Sequence, residues 1–383
     1  METLLQRITG SGMMYMLDGF SGYNQVLVSK EDQHKTTFTT PWGTFEYLRM
    51  PFGLLNAGAT FQRAMDYAFK KLIGKIIEIY QDDLTVFSKN RSDHVGHLRQ
   101  VFERCRKYKI SLNPAKSIFG VDEGKLLGHI ISKEGVKIDP ERVEAIKKVS
   151  LPSNKKGVQS FLGQINFLRR FIPNLAEILR PIQKLLKKDA KFEWKDDGKR
   201  SFKEIKDAIV RSPVLASPDY NKDFQIFSFA SENTIVGVLL QKNDEGQEQP
   251  ISFMSRALQN SKLNYTTMEK QVYALVKSLK HFRIFIGYNK IVGYVPHAAV
   301  KDILAQQDCL GVRRKWVSKI QKYDLEIKPT KLIKGQGLAK MLARGNEEAL
   351  GMICPNGQIE QVESEQFQSL KNQSWYADIN FYL

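Results

Sequence analysis

Lys75-Ile76-Ile77-Glu78-Ile79-Tyr80-Gln81-Asp82-Asp83-Leu84-Thr85-Val86-Phe87-Ser88 is the stretch around which the chain is organised. Ile77 and Ile79, then Leu84 and Val86, recur at period two, which reads as two short strands. Asp82 and Asp83 are poor strand formers and good turn residues, so the tip of a hairpin is expected at this pair. Adjacent carboxylates repel and need a counter-charge; in a phosphoryl-transfer site that is a divalent metal. Alone, an Asp-Asp pair is no more than an acidic turn.

A third carboxylate changes its weight. Met13-Met14-Tyr15-Met16-Leu17-Asp18 is an apolar run ending in Asp18, and Gly19-Phe20-Ser21-Gly22-Tyr23 turns directly after it. An aspartate at a strand end, followed by small residues, can hold a metal while backbone N–H groups face a phosphate. Lys35 to Phe38 and Trp42 to Met50 read as a hairpin turning at Pro41-Trp42-Gly43. The loop Met50-Pro51-Phe52-Gly53 leads into a helix running to about Ile73, with Phe61, Met65 and Phe69 on its core face.

Together, Met16 to Tyr23, Met50 to Gly53 with Asn56-Ala57-Gly58-Ala59-Thr60-Phe61-Gln62, and Tyr80-Gln81-Asp82-Asp83 resemble the palm of a reverse transcriptase from a gypsy-type LTR retrotransposon, plant members most closely. The resemblance extends through most of the chain. It implies an RNA-directed DNA polymerase that uses two Mg²⁺ ions, with Mn²⁺ as a substitute. Asp18, Asp82 and Asp83 are then the catalytic metal ligands. Ser21 and Gly22 would present backbone N–H groups to the triphosphate, and Tyr23 would lie under the sugar and reject a 2′-hydroxyl. Phe52 and Gly53 would pack near nucleotide and template. The implied partners are an RNA template, a DNA primer, deoxynucleoside triphosphates and further Pol domains, in a cytoplasmic particle or the nucleus.

Totals agree with a nucleic-acid partner. The 383 residues carry 58 Lys and Arg against 41 Asp and Glu, a net charge of +17. Such a surplus points to a polyanion, nucleic acid first and an anionic membrane second. No run is long and apolar enough to span a membrane, and the first residues lack the apolar core of a signal peptide. Cys105, Cys309 and Cys354 are far apart and read as reduced thiols. His94 and His97 are expected on a solvated face of the helix Asp93 to Lys109.

Residues 117–138 read as short strands, in which the family's Leu-Gly-His hairpin, here at His129, would hold the primer end; His129 equally suits an ordinary strand residue. Asp139-Pro140 opens a helix with Asp139 as N-cap. Pro152-Ser153-Asn154 breaks it, and a second helix runs from Gly157 to Phe171. The pair resembles the family's thumb. Residues 147–200 hold 14 Lys/Arg and 5 Asp/Glu, so 14 − 5 places +9 where a duplex would be gripped.

After a helix to about Val210, strands are expected at Asp223 to Phe229, Ile235 to Gln241, Pro250 to Met254, Lys290 to Val295 and Tyr323 to Lys328, with a long helix over Thr267 to Phe285. This resembles an RNase H-like domain, but the four metal-binding carboxylates of active members are replaced by Phe229, Gln271, Pro296 and Lys340. Glu232 and Glu269 lie nearby, displaced in register. Neutral groups and a cation cannot hold a divalent pair, so this domain is expected to be inactive.

The expected architecture is an α+β polymerase palm and helical thumb followed by an α/β RNase H-like domain. Its divisions are a palm over 1–92 with the fingers largely missing, palm end and thumb over 93–195, an RNase H-like domain over 196–345, and a polar linker tail over 346–383. Arg7 is the sole basic residue ahead of Met13, where the fingers' basic grip would belong. A non-catalytic nucleic-acid-binding remnant of a decayed element is the competing expectation.

Overall fold

The structure, a computed structural model, describes residues 2–187, 191–296, 300, 304 and 312–329. The expected final helix, Lys340 and the linker tail lie outside the described residues. The chain divides into two compact units between Val136 and Lys137.

The first unit is built on a four-stranded sheet in the order Ile77–Tyr80, Asp83–Ser88, Met13–Gly19, Leu112–Val121. Met13–Gly19 lies antiparallel between its neighbours, pairing Leu17 with Leu84 and Asp18 with Asp83. The helices Ala57–Phe69 and His94–Tyr108 contribute Phe61, Met65, Phe69 and Val101 to one core with Leu17, Ile77, Leu84 and Val86. The helix Glu2–Ile8 buries Leu5 and Ile8 in a second core with Met14, Phe87, Leu126 and Ile131. Strand Asp83–Ser88 thus feeds Leu84 and Val86 into one core and Phe87 into the other, in step with the two-residue period of a strand. Each such side chain contributes about 1.5–3 kcal/mol of burial, so both faces clamp the strand that carries Asp83.

Arg7 is spent inside this unit. Its Nη1 donates to Glu78 Oε1 at 2.9 Å. Glu78 is buried, and that burial pushes its carboxyl above the ordinary range despite the opposing Arg7 charge.

Several expected boundaries shift. The hairpin turn is Gln81-Asp82, with Asp83 already paired to Tyr80. Gln81 takes a left-handed conformation at φ 55°, which closes the two-residue turn. Residues Gln33–Thr36 form a 3₁₀ turn in place of a strand, so the pairing there is only Phe38–Thr40 with Gly43–Phe45. The helix after the Met50 loop ends at Phe69, short of Ile73.

In the second unit, Asp139 caps the helix Pro140–Lys148 by accepting from Glu141 N–H. Asn154 likewise caps Lys155–Phe167, accepting from Gly157 N–H, and the chain then tightens into the 3₁₀ turn Arg169–Phe171. The helices Leu175–Lys184 and Asp196–Val210 follow. Beyond them lies a five-stranded sheet in the order Glu248–Ala257, Thr234–Lys242, Phe224–Ala230, Ile291–Val295, Leu325–Pro329. The first three strands pair antiparallel and the last two join in parallel. The helix Thr267–Ile286 crosses between them and buries Leu275, Leu279 and Phe282 against Phe224 and Ile226. Among the described residues no helix is long and apolar enough to cross a membrane.

Candidate active site

The sheet of the first unit brings Asp18, Asp82 and Asp83 to one end. Asp18 and Asp83 stand opposite each other across the central strand pair. Asp82 occupies the turn beside them, held there because Gly19 N–H donates to its carbonyl at 2.9 Å. Burial first, then the Asp18 and Asp83 charges, hold the Asp82 carboxyl above its ordinary range, and Lys116 opposes this more weakly. Burial and Asp18 act on Asp83 in the same sense. Asp82 Oδ1 is buried without a hydrogen-bond partner.

Gly22 explains where that oxygen sits. A Cβ added to Gly22 would lie 2.0 Å from Asp82 Oδ1 and 3.2 Å from the Phe61 ring. Ser21, at φ 47° and ψ 47°, turns the chain so that Gly22 enters the 3₁₀ turn Gly22–Gln25 under the carboxylate. The next residue, Tyr23, packs 5.1 Å from the Phe52 ring and 5.6 Å from Phe61 between centroids. Phe52 is 62 % exposed, so this aromatic platform is open to a ligand. Gly53, at φ +100°, makes the turn behind it and has open space about its α-carbon. The structure therefore groups Asp18, Asp82, Asp83, Ser21, Gly22, Tyr23 and Phe52 around one sheet end.

Hard carboxylate oxygens suit Mg²⁺ or Mn²⁺, and an orphaned, charge-crowded Asp82 Oδ1 fits a cation-binding role. As placed, however, no group of three or more His, Cys, Asp or Glu among the described residues is gathered to hold a metal ion. Asp82 Oδ1 is turned toward Gly22.

Three supporting side chains hold the site in place. Gln62 Oε1 accepts from Gln81 N–H at 2.9 Å and its Nε2 donates to the Ile79 carbonyl at 3.2 Å, tying the turn to the helix. Gln25 Nε2 donates to the Phe20 and Ser111 carbonyls, and its Oε1 accepts from Ser111 N–H at 2.8 Å. Ser117 Oγ accepts from Asp18 N–H at 3.2 Å, where the pairing with Leu112–Val121 shifts register. Gln62 closes the motif that begins at Asn56, without a role assigned from the sequence; nothing local in the sequence marks Gln25 or Ser117.

The expected solvated histidine face is corrected. His94 is fully buried, with its ring edge-on to Tyr15 at 4.4 Å between centroids. Ser88 Oγ lies 2.7 Å from Nδ1 of both His94 and His97. The hydroxyl has one proton, so one ring must donate to it. His94 Nε2 is buried without a partner, and an empty lone pair there costs less than a stranded N–H. His94 therefore donates from Nδ1, and Ser88 donates to His97. Helical spacing alone could not reveal that strand residues Ser88 and Tyr15 cover the helix start. Burial and then His97 push His94 below its ordinary range. Cys105 is a buried free thiol pushed up to about 11, and Cys309 and Cys354 lie outside the described residues. His129 is a buried strand residue with Nδ1 3.1 Å from the Leu127 carbonyl.

The second sheet holds a contrasting arrangement. Gln271 is buried and bridges Ala230, accepting from its N–H at 2.9 Å and donating to its carbonyl at 2.7 Å. Phe229 is buried in the strand before it. Glu269 closes a capping box with Thr266, Oε2 accepting from Thr266 N–H at 3.0 Å. Pro296 follows the strand Ile291–Val295.

Comparison with known proteins agrees with this arrangement. Residues 2–131 match the family of reverse transcriptase (RNA-dependent DNA polymerase), and residues 194–292 match the RNase H-like domain found in reverse transcriptase. The chain is a reverse transcriptase domain followed by an RNase H-like domain. Within that class, it corresponds to a stretch of a retrotransposon polyprotein. The Transposon Tf2-3 and Tf2-7 polyproteins of Schizosaccharomyces pombe are each 34 % identical to it over 289 residues. That alignment takes in 74 % of this chain and 21 % of either polyprotein, so the chain spans about a fifth of their length. Among solved structures, the foamy viral protease-reverse transcriptase in complex with RNA/DNA hybrid superposes with a TM-score of 0.72 at 25 % identity, covering 86 % of this chain and 45 % of that one. A second form of that enzyme in complex with double-stranded DNA gives a TM-score of 0.75, covering 86 % of this chain and 59 % of that one.

Proposed function

We propose that the chain carries out RNA-directed DNA synthesis as part of a gypsy-type, plant-like LTR retrotransposon Pol polyprotein. The observation that carries this reading is the convergence of Asp18, Asp82 and Asp83 at one sheet end, where burial and then the neighbouring charges raise the Asp82 and Asp83 carboxyls. These three residues would hold the Mg²⁺ pair. When bound, the ions supply Lewis-acid polarisation of the primer hydroxyl and the reacting phosphate.

The protein's own groups do the positioning. Backbone N–H groups of Ser21 and Gly22 face the triphosphate of the incoming nucleotide. The Tyr23 ring, braced by Phe52 and Phe61, forms a floor under the sugar and excludes a 2′-hydroxyl. Phe52 and Gly53 border nucleotide and template. The basic helices Pro140–Lys148 and Lys155–Phe167 grip phosphates of the RNA template–DNA primer duplex. In this reading the palm spans 1–92, palm end and thumb 93–195, a catalytically silent RNase H-like domain 196–345, and a linker 346–383.

A second reading, nucleic-acid binding without catalysis, is favoured by one observation: a Cβ at Gly22 would lie 2.0 Å from Asp82 Oδ1, so this oxygen packs against the turn Gly22–Gln25. Primer extension on an RNA template with Mg²⁺ separates the two. Extension that disappears in Asp82→Asn supports the first reading. Duplex binding without extension above that variant leaves only the second.

A further inference from the structure

The second unit contains a cavity of about 610 Å³ that the catalytic reading does not use. Its walls come from the segment around Arg169 and the helix Leu175–Lys184, the strand Glu248–Ala257, and the helix Thr267–Ile286. Arg169, Arg256, Lys262 and Lys277 all line it, and no Asp or Glu does. Leu175, Leu179 and Leu258 supply apolar surface between the cations.

The cations are positioned before any ligand arrives. Arg169 Nη2 donates to the Ser255 carbonyl at 2.8 Å, and Ser255 Oγ accepts from Ala176 N–H at 2.9 Å, pinning strand to helix. Lys277 Nζ lies 5.2 Å from the Tyr273 ring centroid. The neighbouring carboxylate Glu177 is already committed, accepting from Thr234 Oγ1 at 3.0 Å and pairing with Arg180 at 3.3 Å.

No Asp or Glu among the lining residues faces Arg256, Lys262 and Lys277 inside the recess. Burial, then Arg256 and Lys262, push Lys277 below its ordinary range. On the same helix, burial and the charges of Arg256, Arg169 and Arg170 push His281 down to about 4. Converging cations work against folding unless an anion joins them. Charge-assisted bonds from guanidinium and ammonium groups suit phosphate oxygens, and the volume falls within the range of small-ligand pockets.

We propose that this cavity binds phosphate groups, presented either by a nucleic-acid strand or by a free polyphosphate. Its lining residues belong to the second unit, while Asp18, Asp82 and Asp83 belong to the first, so the proposal holds whether or not the chain polymerises. Inorganic tripolyphosphate titrated into the full chain by calorimetry, in about 100 mM salt to screen loose surface binding, is the test. Saturable binding is expected, weakened about tenfold or more in Arg256→Gln/Lys277→Gln and unchanged in the control Lys70→Gln/Lys71→Gln. Without anion the cavity variant should melt no lower than the parent, because repulsion has been removed; Arg256→Gln alone, at an exposed side chain, repeats the test with the least disturbance. Displacement of tripolyphosphate by an RNA–DNA hybrid assigns the site to strand phosphates. A hybrid that binds without displacing it assigns the site to a free polyphosphate. Absence of saturable binding, or equal weakening in the control, overturns the proposal.

Discussion

The two sheets treat their strand-end polar groups in opposite ways. In the first, Asp18, Asp82 and Asp83 crowd together, and one carboxylate oxygen is buried with no partner. In the second, Gln271 satisfies both backbone groups of Ala230, and Glu269 is consumed by a helix cap. The first arrangement costs stability and suits an external cation. The second closes the bonds of Ala230 within the chain. At these strand ends one sheet leaves a carboxylate oxygen without a partner, and the other ties a side-chain amide into backbone bonds.

Asp82→Asn strikes at this contrast most strongly. Primer extension should fall about 10³-fold or more, while the protein becomes more stable at pH 7. The Asp82 carboxyl is raised in the folded state, so its favourable contribution is complete below the unfolded value near 4 and is lost as pH rises through the folded value. Thermal scans should show the variant melting about 2 °C higher at neutral pH, with the gap closing in acid.

Gln271→Ala should behave oppositely. It strands the Ala230 N–H and carbonyl, and denaturant unfolding should register a loss of about 2–4 kcal/mol with extension per folded molecule unchanged. A smaller loss would mean that the bridge is not what stabilises this sheet end.

Gly22→Ala should cost about 1–3 kcal/mol, because its methyl meets Asp82 Oδ1. Gly22→Ala/Asp82→Ala should recover most of that stability but none of the extension. Equal destabilisation in single and double variants would show that the two residues are not in contact.

The smallest effect is expected at His94. Its folded value is depressed, so its contribution is present above the unfolded value near 6.5 and is lost as pH falls below it. His281, depressed to about 4, acts in the same direction between those values. Unfolding free energy, followed by denaturant titration, should drop between pH 7 and pH 5, and His94→Gln should flatten that drop by about 1 kcal/mol.

Legibility followed the range of the contacts. Strand alternation in Leu84 and Val86, the helical stripe of Phe61, Met65 and Phe69, and the Asp139-Pro140 cap are local signals, and the structure places them as read. The helix Leu175–Lys184 holds Pro181, a local break signal, and the helix Glu2–Ile8 is only 7 residues long. Leu5 and Ile8 gain their meaning only from Phe87 and Ile131, far along the chain. The same limit hid His94, whose burial depends on Tyr15 and Ser88. At Gln271 the sequence reveals the missing charge, whereas its bridge to Ala230 is a tertiary fact.

The most direct measurement places one preparation of the full chain on one primed RNA–DNA hybrid with Mg²⁺, following primer extension and RNA cleavage together, with Asp82→Asn alongside. Extension that requires Asp82, with no cleavage of the RNA strand, is the expected result. Cleavage of the hybrid, or extension that survives Asp82→Asn, would contradict the division of labour between the two sheets.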